Sequence, residues 1–159
     1  MARVEPLSAA EEEFWRALMR IVLSLPRRLD SDLVRAAGIT ANEYTVLMCL
    51  SEAPGRELRM AELANAAALS ASRMTRLVDD LQHRGLVTKR GSAEDGRGNV
   101  AKLAPAGLTK LKAAWPAHLA SVRYRVFDHV DPGTVKKAAQ ALSEVAAQLE
   151  SGRQASSAN

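Results

Sequence analysis

The sequence predicts a mainly α chain: a helix-turn-helix carrying a small β-wing, set between helical arms at both ends. Three observations predict it. Apolar residues recur at three- and four-residue intervals along most of the 159 residues, the spacing that lines one face of a helix. Two runs, Leu86 to Arg90 and Asn99 to Leu103, read instead as strands joined by a charged, glycine-rich loop from Gly91 to Gly98, too long for a tight hairpin turn. Aromatic residues make up only 4% of the chain while alanine is abundant in the helical stretches, which favours close helix packing over a strand-rich core. The length suits one domain, or one domain with an appended helical arm.

The first helix is expected to begin at Ala9 to Glu11, where Glu11, Glu12 and Glu13 suit the positive end of the helix dipole. Phe14, Leu18, Val22, Leu25, Leu29 and Leu33 form one apolar stripe reaching Ala36 or Ala37. Pro26 lies inside it and, at a cost of about 3 kcal/mol or more, predicts a kink or short break. Gly38 is placed to end the segment. Thr40 and Glu43 then have the spacing of a capping box, and Ile39 and Tyr44 that of a hydrophobic staple, so a second helix starts here and runs through Val46, Leu47, Met48 and Leu50 to stop before Pro54-Gly55.

Glu57 to Arg59 adds a brief strand before a short helix starting near Met60, with Leu63 and Ala64 facing a partner and Ala68 at a tight turn. Ser70 can cap the following helix, whose Met74, Leu77, Val78 and Leu81 face a core and whose pattern ends around Arg84-Gly85. Beyond the wing, Pro105 opens a helix with the apolar face Leu108, Leu111, Trp115, Leu119, Val122 and Val126, which Pro116 should bend. Asp131-Pro132 starts a last helix whose Val135, Ala138, Leu142, Val145 and Leu149 resemble a helix-packing seam. Ser151 to Asn159 is polar and reads as a frayed tail. The organisation is therefore residues 1–38 as an N-terminal helical arm, 39–104 as the helix-turn-helix with its wing, 105–150 as C-terminal helices, and 151–159 as a flexible tail.

A net charge of +4 and a pI near 9.6 are modest for this length, so the distribution carries more information than the total. Residues 70–103 hold Arg73, Arg76, Arg84, Lys89, Arg90, Arg97 and Lys102 against Asp79, Asp80, Glu94 and Asp95, whereas the N-terminus carries Glu5, Glu11, Glu12 and Glu13. Ser72, Arg73, Thr75 and Arg76 flank the apolar stripe of their helix. Short hydroxyls and guanidinium groups near a helix start can enter a major groove and reach phosphates and base edges. The competing reading is a solvated face on which the arginines pair with Asp79 or Asp80.

The single cysteine, Cys49, excludes an intramolecular disulfide and a multi-cysteine zinc site and points to a reducing, cytoplasmic setting. It sits between Met48 and Leu50 without a basic neighbour in sequence, which favours a buried structural thiol over a redox sensor. His83, His118 and His129 lack close ligand spacing, so neither metal nor cofactor is expected. No stretch approaches the roughly 20 apolar residues that span a bilayer. A cysteine-dependent enzyme would need an activating motif that is missing around Cys49. A helical module that binds a ligand or protein without touching DNA is the other alternative.

The order of elements, with LSASRMTRLVDDLQHRGLVTKR followed by EDGRGNVAKLAPAG, the Asp95-Gly96-Arg97 wing signature and the Leu103-to-Gly107 junction, resembles the MarR family of dimeric winged helix-turn-helix transcriptional regulators. The likeness covers nearly the whole chain. It implies that Ser70, Ser72, Arg73, Thr75 and Arg76 lie at the major groove, that Arg97, oriented by Asp95, reaches into a minor groove, and that Lys89 and Arg90 hold phosphates. It implies further a homodimer built from the N- and C-terminal helices on a palindromic operator with half-sites ~34 Å apart, acting as a repressor. A small aromatic or anionic effector would bind near Trp15, Tyr44, Met48 and Trp115. One departure stands out: the family's usual threonine after the wing is Ala104 here, forgoing a cap worth about 0.5 to 2 kcal/mol, with Pro105 pre-setting the first helical turn in part compensation.

Overall fold

The computed structural model describes residues 5–91 and 99–157, with side chains as far as residue 149. Six helices and three strands follow in the order α1 (Ala9–Ala37), α2 (Ala41–Glu52), β1 (Glu57–Arg59), α3 (Met60–Ala66), α4 (Ala71–His83), β2 (Val87–Gly91), β3 (Asn99–Leu103), α5 (Pro105–Arg125) and α6 (Pro132–Ser157), with short 3-10 turns at Pro54–Arg56 and Phe127–His129. The chain divides into two compact units, Met1–Ser121 and Val122–Asn159.

Local chemistry accounts for the helix boundaries. Ser8 caps α1, its backbone N–H donating to Glu11 Oε2 at 2.7 Å while the Glu11 N–H donates to Ser8 Oγ at 3.3 Å. The Ser8 contacts hold the Glu11 carboxyl below its ordinary range. The same reciprocal arrangement opens α2, where Thr40 N–H donates to Glu43 Oε2 at 2.7 Å and Glu43 N–H to Thr40 Oγ1 at 3.2 Å. Gly38 ends α1 with φ 63°, its N–H reaching Val34 O.

Neither proline interrupts its helix: of the kink or short break expected at Pro26 there is no break, α1 running on through it, and α5 runs on through Pro116. Each proline withholds a hydrogen bond from the carbonyl four residues earlier. Those carbonyls belong to Val22 and Lys112, both exposed residues, so water can take the place of the missing donor. α6 likewise continues to Ser157, through residues whose polar composition reads as a tail.

In the first unit the sheet order is β1-β3-β2, antiparallel throughout, with Leu58 opposite Ala101 and Lys89 also opposite Ala101. Its inner face carries Val87, Ala101 and Leu103 onto a core built from Leu33 of α1, Ile39, Tyr44, Val46, Leu47 and Leu50 around α2, Leu63 and Ala64 of α3, Met74, Val78 and Leu81 of α4, and Leu111 and Ala114 of α5. Gly107 brings α5 against the backbone just before β2: a Cβ there would run into the Leu86 carbonyl oxygen and lie 2.8 Å from Leu103 Cδ1. That carbonyl accepts the Ala104 N–H at 3.1 Å, which pins the start of α5 where the threonine cap is missing.

Most of α1 lies outside this core. Only Leu33 of its apolar stripe is buried, and Phe14, Trp15, Ile21, Val22 and Leu23 are exposed. In the second unit, Leu142, Val145 and Leu149 of α6 are exposed in the same way.

Candidate nucleic-acid interface

Helices α3 and α4 meet through a turn centred on Ala68, which adopts φ 53°, a left-handed conformation unusual for a residue with a side chain. Three backbone bonds hold it there: Ala67 N–H to Leu63 O at 3.0 Å, Ala68 N–H to Asn65 O at 3.1 Å and Leu69 N–H to Ala64 O at 2.9 Å. The chain then extends at Ser70, whose Oγ accepts the Arg73 N–H at 3.4 Å and lies 3.4 Å from Ser72 Oγ. With Met74, Val78 and Leu81 wholly buried, the rotational setting of α4 is fixed. Its other face presents Ser72, Arg73, Thr75 and Arg76 to solvent.

The two arginines do not pair with Asp79 or Asp80. Among the described residues, neither guanidinium group has an ion-pair or side-chain hydrogen-bond partner. Asp79 is engaged elsewhere, accepting from Lys89 Nζ at 2.9 Å. Thr75 Oγ1 donates to Ala71 O at 3.0 Å, so its proton is engaged and the hydroxyl retains only acceptor capacity. Arg73 and Arg76 also border a cleft of about 750 Å³, shared with Arg27 and Asp30 of α1 and Thr40 at the start of α2.

The sequence-predicted wing residues separate by sheet face. Lys89 shares the inner side of β2 with Val87 and is only 20% exposed, tied to α4 through Asp79. Arg90 is on the outer side, 55% exposed, and donates to Glu57 Oε1 at 2.7 Å, while Lys102 Nζ lies 3.3 Å from Glu57 Oε2. Those two cations hold the Glu57 carboxyl below its ordinary range, the Lys102 hydrogen bond contributing most. Asp95 and Arg97 lie outside the described residues.

The residues expected around an effector are not all in one place. Tyr44 is buried and its ring stacks on His118, with centroids 4.4 Å apart, and Trp115 lies 6.3 Å from His118 on α5. Met48 packs against the core, whereas Trp15 borders a separate shallow groove with Leu7, Ala10 and Phe14. Sequence reasoning missed His118, since nothing in the linear chain brings Tyr44 and His118 together. Tyr44 Oη and His118 Nδ1 are both buried without a hydrogen-bond partner among the described residues. Burial holds the His118 imidazole below its ordinary value and pushes the Tyr44 phenol up, aided by the Glu52 charge. Cys49 is half-buried, and burial together with Glu52 pushes its thiol up. Among the described residues no group of three His, Cys, Asp or Glu side chains could hold a metal ion, and no helix is long and apolar enough to cross a membrane.

A capped amphipathic helix held across a tight turn from a shorter one, with a three-stranded antiparallel sheet at its back, defines a winged helix-turn-helix protein. A sequence model of the MarR family matches residues 37–98. Among solved structures, Sco3205 of Streptomyces coelicolor, a MarR family transcriptional regulator in complex with DNA, superposes with a TM-score of 0.85 at 34% identity, over 92% of this chain and 91% of that one. AbsC, a MarR family regulator from the same organism, gives 0.84 at 30% identity over 93% and 99%. The chain belongs to the MarR family of transcriptional regulators. It is also 28% identical over 85 residues to the helix-turn-helix transcriptional repressor YetL of Bacillus subtilis strain 168, a match spanning 54% of this chain and 51%, about half, of that protein.

Proposed function

We propose that the protein is a cytoplasmic repressor that binds a palindromic operator as a homodimer, reading each half-site with α4. The observation that carries this reading is the exposed Ser72, Arg73, Thr75 and Arg76 surface on a helix whose Met74, Val78 and Leu81 are fully buried, with both guanidinium groups unpaired among the described residues. Two unengaged, side-by-side guanidinium groups cost little to bring onto DNA. A bidentate arginine on a guanine edge contributes roughly 1 to 3 kcal/mol of discrimination, and Ser70 and Ser72 at the helix start suit a phosphate.

Arg90 can exchange Glu57 for a backbone phosphate at small cost, as expected for an exposed ion pair. Lys89 suits a phosphate less well, because its ammonium is already spent on joining β2 to α4. Arg97, oriented by Asp95, supplies the minor-groove contact of the wing. The exposed apolar residues of α1 and, separately, of α6 support dimerisation, since surfaces of this kind are ordinarily covered. Residues 1–38 and 105–150 then serve as the dimerisation helices.

Control by a small aromatic or anionic effector is supported by the Tyr44, His118 and Trp115 cluster, where two buried polar atoms lack partners among the described residues. A ligand there releases DNA only if it favours the DNA-incompetent spacing of the two heads; tight binding alone shifts nothing. Catalysis forms no part of this reading. The test is a mobility-shift titration on duplexes selected from random DNA. Arg73→Ala or Arg76→Ala should weaken binding roughly 5- to 150-fold and relax the base preference at one position of each half-site. Unchanged affinity in both variants contradicts the reading.

A further inference from the structure

In the linear sequence Arg84 belongs to the basic cluster of residues 70–103, yet in the folded chain its guanidinium is turned toward the corner between α1 and α2. Arg84 is the first residue past α4, its N–H closing the helix onto Asp80 O at 3.2 Å. One guanidinium nitrogen, Nη1, donates to Glu43 Oε1 at 2.5 Å, and the other, Nη2, donates to the carbonyl oxygen of Gly38 at 3.2 Å. Glu43 Oε2 is meanwhile the acceptor for the Thr40 N–H that caps α2. One carboxylate, its side chain 9% exposed, therefore ties together the start of α2 and, through Arg84, the ends of α1 and α4. Asp30 Oδ1 braces the same corner by accepting the Ala41 N–H at 2.8 Å.

We propose that Arg84 is a positioning residue for DNA reading: it fastens the C-terminal end of α4 to the α1–α2 corner, so that movement of the N-terminal arm turns the reading helix, and it does not itself touch DNA. This rests on the reading of α4 as the DNA-facing helix. Ser70 and Arg73 sit at the opposite end of a 13-residue helix, about 20 Å away at 1.5 Å per residue. A small rotation at the latch is thus carried to the bases along a rigid lever. Arginine is required because its planar fork reaches two acceptors, which a lysine ammonium on a flexible stem does not reproduce. Glu43, so little exposed, is costly to leave unpaired, which makes the latch either closed or broken.

The experiment measures affinity against salt concentration for Arg84→Lys, Arg84→Ala, Glu43→Gln and the Arg84→Lys/Glu43→Gln double variant, on the duplex that the wild-type protein enriches from random-sequence DNA. Glutamine at position 43 keeps the capping box, so that variant retains the α2 start. Each single variant should weaken binding about five- to thirtyfold with the double variant no worse than the weaker single one. The slope of log affinity against log salt should stay at the wild-type value, because no phosphate contact is lost. A slope shallower by about one unit in Arg84→Ala would make Arg84 a phosphate contact and overturn the proposal. So would affinity within twofold of wild type accompanied only by a lower unfolding temperature. Arg73→Ala and Arg76→Ala serve as the references: if both of these also leave affinity unchanged, the reading of α4 has failed and the proposal falls with it.

Discussion

Gly107→Ala reverses the usual sign of a glycine-to-alanine change in a helix. At an open helical position, alanine is the better residue by about 0.5 to 1 kcal/mol. Gly107 is the third residue of α5, but its Cα faces the Leu86 carbonyl, and an added Cβ would collide with that oxygen as well as with Leu103 Cδ1. The oxygen is backbone and cannot rotate away, so α5 must shift. Overpacking of this kind costs about 1 to 3 kcal/mol. The shift also strains the 3.1 Å bond from Ala104 N–H to Leu86 O, worth about 0.5 to 1.5 kcal/mol. Set against the propensity gain, the net loss is about 0.5 to 4 kcal/mol. Urea unfolding followed by circular dichroism, at fixed protein concentration so that any dimer contributes equally, should show a lower midpoint with little change in slope. A midpoint equal to or above the wild-type value would refute the close approach of α5 to Leu86.

Three further outcomes can be measured on the same preparation. Ala68→Gly should stabilise the fold by up to about 1 kcal/mol, because glycine adopts the φ of 53° without steric cost; a loss of stability would contradict the strained turn. His118, held below its ordinary value of 6.5 by burial, binds fewer protons folded than unfolded. Stability should therefore fall as pH drops below about 6.5 toward the folded value, and His118→Phe should flatten that part of the profile. A wild-type slope preserved in His118→Phe would rule the histidine out. Cys49, whose thiol is pushed up by burial and Glu52, should react with iodoacetamide more slowly at neutral pH in the folded protein than in urea. Equal rates would reopen a redox role.

Much of the reading head was legible because its signals are local. Thr40 with Glu43, Ser70 before Ala71, Gly38 and Pro105 each act within one helical turn, and the structure puts element boundaries at all four. Ser8-Ala9-Ala10-Glu11 carries the same capping signature and was equally readable. The two prolines show the limit of a local rule: the cost of Pro26 and Pro116 depends on whether the orphaned carbonyl meets water, which sequence does not display. Long-range pairings were illegible for the same reason. Arg84 and Glu43 are separated by 41 residues, and Tyr44 meets His118 only because α2 and α5 pack around a shared core. Lys89 and Arg90 look alike in sequence, and strand alternation sends one to Asp79 and the other to Glu57.

Selection of bound duplexes from random-sequence DNA by the full chain tests the central claim most directly. The account predicts enrichment of an inverted repeat whose half-sites are centred about 10 base pairs apart, one helical turn, as two symmetry-related α4 helices require. Enrichment of a single unrepeated half-site, or of no sequence at all, would contradict it.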